Sequence, residues 1–120
     1  MRRDMNIVRE IVKQIGDYDK RTFSEKFVFE NIEVSKELLD YHLIIMKDAG
    51  IIEGTITFAD NEVLFYGLYL GWKGNDFYET FKEDTIWEKT KTFLKNKGFE
   101  IANMPFDILM ETGKKILTGL

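Results

Sequence analysis

The chain has 120 residues, 44% of them apolar and 32% charged, and its ten phenylalanines, five tyrosines and two tryptophans mark a globular rather than a disordered composition. It has no cysteine, which excludes disulfides, thiolate metal sites and cysteine nucleophiles. The formal charge of −4 divides into −1 over residues 1–50, −5 over residues 51–84 and +2 over residues 85–120, so the middle of the chain lacks the basic face of a phosphate-neutralising protein.

The first predicted helix covers about residues 4–15. Asp4 is its cap, Ile7, Val8, Ile11, Val12 and Ile15 form one apolar stripe, and Gly16 is its stop. Residues Asp17 to Thr22 read as a polar loop. The stretch Phe23 to Val34 is ambiguous: Ser24 suits a helix cap, whereas Phe27-Val28-Phe29 reads as a strand. The favoured expectation is a degenerate helix, or a single turn followed by a short strand. Ser35 then caps a helix to Asp48, with Glu37 near the positive end of its dipole and Gly50 closing it.

Ile51 to Phe58 and Val63 to Leu70 are β-branched and aromatic runs joined by Ala59-Asp60-Asn61-Glu62, the pattern of a hairpin with a four-residue turn. Trp72, Phe77, Tyr78 and Phe81 line one face of a helix over about 73–83. Thr85-Ile86-Trp87-Glu88 has the form of a capping box opening a helix over about 85–97, with Ile86, Trp87, Thr90, Phe93 and Leu94 inward. Pro105 suits the first position of a last helix to about 117. No repeat, low-complexity tract or long linker divides the chain. One domain over 1–120 is expected, with a core over 1–83 and a helical extension over 84–120.

Helix, hairpin and flanking helices in this order predict an α+β, winged-helix fold, with the hairpin as the wing and extra C-terminal helices. No apolar run approaches the roughly 20 residues that cross a bilayer, and the charged helix from Asp4 argues against a secretory signal, so a cytoplasmic protein is expected.

Chemistry-bearing residues are few. His42, the one histidine, lies on the inward stripe with Leu38, Leu39, Leu43 and Met46. It reads as a half-buried structural residue donating to a backbone carbonyl. Ser24 and Ser35 are caps without the glycines of a nucleophile elbow. Asp17-Tyr18-Asp19 lacks further ligands at calcium-loop spacing, and Gly71-Trp72-Lys73-Gly74 lacks the Lys-Ser/Thr ending of a phosphate loop. No catalytic, cofactor or metal residue is assigned, and the expectation is a non-enzyme.

Two surfaces remain. A winged helix offers its helix over 35–48 to the DNA major groove, and here Glu37, Asp40, Ile44 and Asp48 face outward, flanked by Tyr41 and Lys47. Carboxylates repel phosphates, and counterion release needs Lys or Arg. Were DNA bound, Arg2, Arg3, Lys36 and Lys47 would contact it. The clusters Arg2, Arg3, Arg9, Lys13 and Lys89, Lys91, Lys95, Lys97 read as solvated helix faces. The run Val63 to Leu70 is apolar on both faces, so its outer side needs cover from the last helix or from a second protein. Tyr41, Ile44, Phe65 and Tyr69 are therefore the candidate protein-interaction residues.

Several segments sit in order along the chain: the opening Met1-Arg2-Arg3-Asp4-Met5, Tyr41-His42-Leu43 ahead of Ala49-Gly50-Ile51-Ile52, Leu70-Gly71-Trp72-Lys73-Gly74-Asn75-Asp76-Phe77, Asp84-Thr85-Ile86-Trp87 and Pro105-Phe106. Together they resemble a bacterial and phage family catalogued as a domain of unknown function, related to the YjcQ-like winged-helix proteins, over Met1 to about Leu117. The resemblance implies a winged helix with added C-terminal helices, frequent occurrence in prophage regions and no assigned catalytic residue. Relatives tend to carry Thr where this chain has Gly71, so only the start of the following helix is affected. The combined expectation is a non-catalytic module of bacterial or prophage origin that works through protein–protein contact, a homodimer being one form. The alternative is a DNA-binding transcriptional regulator. Neither a membrane nor a small-molecule ligand is expected.

Overall fold

The computed structural model describes residues 1–18 and 26–119. Helix α1 (Met5–Asp17) is followed, among the described residues, by an irregular segment over 26–34 and helix α2 (Lys36–Asp48), then by the antiparallel strands β1 (Ile52–Ala59) and β2 (Glu62–Leu70). Helices α3 (Trp72–Phe81), α4 (Asp84–Asn96) and α5 (Phe106–Leu117) complete the chain, with a 3₁₀ turn at Ile101–Asn103 before the last. Among the described residues the class is α+β, with five α-helices and a two-stranded hairpin in a winged-helix-like arrangement.

The stripe of α1 is buried along its whole length, from Met5 through Ile7, Val8, Ile11 and Val12 to Ile15, and forms the centre of the core. Asp4 caps it by accepting from the Asn6 amide at 2.8 Å. Gly16 is not the stop expected of it. The helix runs on to Asp17, and a Cβ at Gly16 would collide with the Tyr78 ring, so a residue without a side chain is needed for α3 to approach. At the end of α2, Gly50 has φ +75°, and the Ile51 and Gly50 amides donate to the Met46 and Lys47 carbonyls, the paired bonds of a Schellman stop.

No second helix forms over the described part of Phe23 to Val34, and Ser24 lies outside the described residues. The Gln14 side chain donates to the Glu30 carbonyl at 2.6 Å and accepts from its amide at 2.9 Å, which pins the backbone at Glu30 to α1. Phe27 and Phe29, then Ile32 and Val34, pack against the core, with Asn31 at φ +57° between the pairs. Lys26 makes an isolated antiparallel bridge to Tyr66. Phe27-Val28-Phe29 alternates in burial as a strand would, with Val28 exposed, but forms no strand.

The hairpin turn is tighter than the expected four residues. Only Asp60 and Asn61 lie between the strands, at φ +48° and +64°, as a type I′ turn requires. Further down, the register passes from Glu53↔Tyr69 to Thr55↔Tyr66, which places one extra residue in β2. Gly67 at φ +59° absorbs it as a bulge. The bulge reverses the alternation, so Phe65 and Leu68 both point into the core although they differ in parity. The two-sided apolar character of this strand is thus partly an effect of the bulge.

The C-terminal helices share this core. Phe77, Phe81, Trp87, Leu94, Leu109 and Met110 are buried with the α1 stripe. Helix α5 packs on α3 and α4 rather than covering the hairpin as one expectation had it. Trp72, expected inward, is exposed, and Phe93, also expected inward, is exposed with the Lys97 ammonium 5.1 Å from its ring centroid. The capping box does not form: α4 starts one residue early, at Asp84, without a side-chain cap bond. Pro105 precedes the last helix as its cap residue.

The Tyr78 hydroxyl donates to Asp17 at 2.7 Å, and Lys13 pairs with the same carboxylate at 2.9 Å, tying the end of α1 to α3. The two bonds hold the Asp17 carboxyl below its ordinary value, Lys13 first and Tyr78 second. In return the hydrogen bond to Asp17 pushes the Tyr78 phenol up from 10.0 to about 12. A raised phenol value stabilises the fold below the unfolded value and loses that contribution as pH climbs through the folded one. An absorbance titration of phenolate should therefore show one tyrosine ionising near pH 12, and Tyr78→Phe should abolish that step. If the variant leaves the alkaline titration unchanged, the bond is absent in solution.

Candidate functional site

The surface that a winged helix presents to DNA is neutralised from within. Lys36 is ion-paired with Asp40 at 2.6 Å, and that carboxylate raises the ammonium's pKa above its ordinary value. Lys47 reaches Glu53 on β1 at 3.8 Å. Glu37 and Asp48 on the same helix are exposed and have no ion-pair partner among the described residues. Asp60 and Glu62 make the wing tip acidic too. Of the other two candidate DNA contacts, Arg2 is exposed, and Arg3 donates to the Met104 carbonyl at 3.3 Å.

The four candidate interaction residues do not assemble into one accessible patch. Phe65 is 6% exposed and belongs to the core, because the Gly67 bulge turns it inward. Ile44 is partly buried against the core, and Tyr41 is half-buried with its ring edge-on to His42. Tyr69 is the one exposed member, beside Glu53 at the base of the hairpin.

His42 is fully buried rather than half-buried. Its Nδ1 donates to the Leu38 carbonyl at 2.8 Å, and its Nε2 accepts from the Asp4 amide at 2.8 Å. Both ring nitrogens are occupied by backbone, in the neutral tautomer that this pair of partners requires. The side chain fastens the start of α1 to α2 and has no lone pair left for a metal or a substrate. Among the described residues no three His, Asp or Glu side chains are grouped to hold a metal ion.

Arg9, read as part of a solvated basic face, is instead buried. Its guanidinium donates to the Phe81 carbonyl from Nε at 3.2 Å and from Nη2 at 3.1 Å, to the Lys82 carbonyl at 3.4 Å and to Asp84 at 2.6 Å. It thereby closes the end of α3, and it holds the Asp84 carboxyl below its ordinary value. A basic residue on a polar-looking helix position gives no sequence signal for this role.

Two other surfaces stand out. The first is the outer half of the hairpin. Ile52, Ile56 and Phe58 alternate on one face of β1, the face turned to the core at Ile52, yet Phe58 is 73% exposed opposite Val63. The second is the start of α3, where Trp72 is 87% exposed. Beside it Lys73 lines a cleft of about 270 Å³ with Arg3, Met5, Val8, Ile45, Met46, Ala49, Ile51 and the Pro105–Asp107 corner. Exposed apolar residues are commonplace singly, so composition alone does not single these out.

Compared with known proteins, residues 2–100 match the family described as "Hypothetical protein (DUF2513)", and the chain belongs to that family. The match covers α1 through α4 and stops short of α5, a narrower span than the motifs suggest. An "Uncharacterized protein" of Haemophilus influenzae is 26% identical over 84 residues, which cover 70% of this chain and 69% of that protein. No solved structure matches. No helix among the described residues is long and apolar enough to cross a membrane.

Proposed function

We propose that this chain is a non-catalytic, cytoplasmic protein-binding module of bacterial or prophage origin, related to the YjcQ-like winged-helix proteins, and that it docks its partner on the bare face of the hairpin and on Trp72. The observation that carries the reading is Phe58, an aromatic side chain left 73% exposed on the very face that is buried at the hairpin's base. Burying such a side chain against a partner is worth roughly 1.5–3 kcal/mol, and tryptophan is the residue most often responsible for a binding hot spot. The acidic wing tip and the self-paired lysines of α2 favour a protein over a phosphate backbone.

The alternative, a DNA-binding regulator, draws on the winged-helix-like arrangement, and arrangement alone does not fix function. Two measurements separate the readings. Affinity for random duplex DNA at physiological salt should be no tighter than about 10⁻⁵ M, the range of backbone contact alone. Submicromolar, salt-sensitive binding weakened by Lys36→Ala or Lys47→Ala would promote the regulator. Photoreactive residues introduced in cells at positions 58 and 72 should give protein adducts, and one at position 37 should not. An adduct of twice the chain mass makes the partner a second copy, and any other mass makes it a different protein. Adducts at neither position sink the docking proposal.

A further inference from the structure

The cleft beside Lys73 is independent of the hairpin surface and has a different chemistry. Its floor is apolar, built from Met5 and Val8 of α1, Ile45 and Met46 of α2, Ile51 and Phe106. Its volume of about 270 Å³ suits a compact ligand or a short acyl chain rather than a nucleotide. Charged groups line it at three positions only, Arg3, Lys73 and Asp107, two cations to one carboxylate. None of the three is ion-paired to a described residue.

Met5 opens α1, Lys73 lies in the first turn of α3, and Phe106 and Asp107 begin α5, so three helices start at this cleft and one, α2, ends there. Neither α3 nor α5 has a side-chain cap at its start. Asp4 caps α1 and Asp107 lies in the first turn of α5, so the start of α3, where Lys73 sits, is the one helix N-terminus here without a carboxylate, and the end of α2 opposes it; the positive sign of the cleft comes from Arg3 and Lys73. The Gly71 amide donates to the Ile51 carbonyl at 2.8 Å, and the Ile51 amide to the Met46 carbonyl at 2.9 Å. The end of α2, Ile51 and the start of α3 are thus joined in a single hydrogen-bonded frame on one side of the cleft.

We propose that this cleft is a binding site for a small amphipathic anion, an aliphatic or aromatic carboxylic acid whose apolar body lies on Val8, Met46 and Phe106 and whose carboxylate faces Arg3 and Lys73. The assignment does not rest on the hairpin reading, and either can stand without the other. The probe is anilinonaphthalene sulfonate, an apolar ring system with one negative charge, bound to the full chain and followed by its fluorescence. Octanoate should displace it at submillimolar concentration and octylamine should not. Lys73→Glu reverses a charge at the rim and should weaken both anions by about tenfold or more. Ala49→Phe fills the cleft and should abolish binding. Thermal unfolding of each variant shows whether the fold is kept, and amide shifts of Met5, Ile45, Lys73 and Phe106 on adding octanoate locate the ligand in the wild-type protein. The proposal is overturned by absence of probe binding, by equal displacement with octylamine, by indifference to Lys73→Glu in a folded variant, or by amide shifts elsewhere.

Discussion

Replacing Arg9 by methionine is expected to destabilise the protein by about 3 kcal/mol or more, the order expected when two backbone carbonyls lose a charged donor. Methionine keeps the apolar stem against Trp87, whose ring centroid lies 5.8 Å from the guanidinium carbon, so the loss comes from polar groups rather than packing. What is lost is the closure of α3: the Phe81 and Lys82 carbonyls are left without the donors that face them. Hydrogen bonds to a charged donor contribute about 1.5–3 kcal/mol each, and a buried carbonyl left bare costs a comparable amount. The ion pair with Asp84 adds little, because that carboxylate is 79% exposed and water screens it. Arg9→Lys should recover only part of the loss, since one ammonium cannot span two carbonyls and a carboxylate as the fork does. Asp84 also gives a pH signature. Its depressed carboxyl contributes stability above the ordinary value of 3.8 and loses it as pH falls, so the variant should show a shallower acid limb than the wild type. Urea denaturation at neutral and acid pH measures both effects. A midpoint for Arg9→Met indistinguishable from wild type would show that α3 closes by other means.

Arg9 also marks the boundary of what the sequence made legible. Local patterns placed the helices and the hairpin. The α1 stripe, the Ser35 cap, accepting from Leu38 at 3.2 Å, and the Gly50 stop are each decided within one or two turns of chain. Where a distant partner decides, the pattern was silent or misleading. Phe23 to Val34 carries helix and strand signals together, and the described part, held at Glu30 by Gln14 sixteen residues away, takes neither form. Gly67 looked like one more strand position, and its bulge moved Phe65 from a candidate surface into the core. Trp72 fits the helical stripe of Phe77 and Phe81 by spacing, but it lies in the first turn, beyond the reach of the core, and is exposed. The cleft could not be read at all. It is assembled from Arg3, Ile45, Lys73 and Phe106, four segments that only the tertiary fold brings together.

Ending the chain before Pro105 is expected to leave a protein that is unfolded or loosely packed at neutral pH. Helix α5 lies beyond the residues matched to the family, yet it closes the core: Leu109 and Met110 are buried, and Phe106 stacks on Phe77 with centroids 5.9 Å apart. Each such side chain contributes roughly 1.5–3 kcal/mol, so three approach the 5–15 kcal/mol that holds a typical domain together. The truncation also bares Phe77 and Phe81 to water. Gly113 gives the finer test. In isolation it weakens its helix, and Gly113→Ala would be worth up to about 1 kcal/mol in helix propensity. In the fold, a Cβ there meets the Phe81 ring edge and the Thr80 methyl, and overpacking of this kind costs about 1–3 kcal/mol. The net sign should therefore be destabilising, with a lowered urea midpoint for Gly113→Ala and a rescue by Phe81→Leu in the same chain, which trades ring for space. A stabilised Gly113→Ala variant would mean that α5 sits away from α3 in solution. A truncated chain as resistant to urea as the full one would make the last helix a dispensable tail, and the Phe77–Phe81 face would then need another cover.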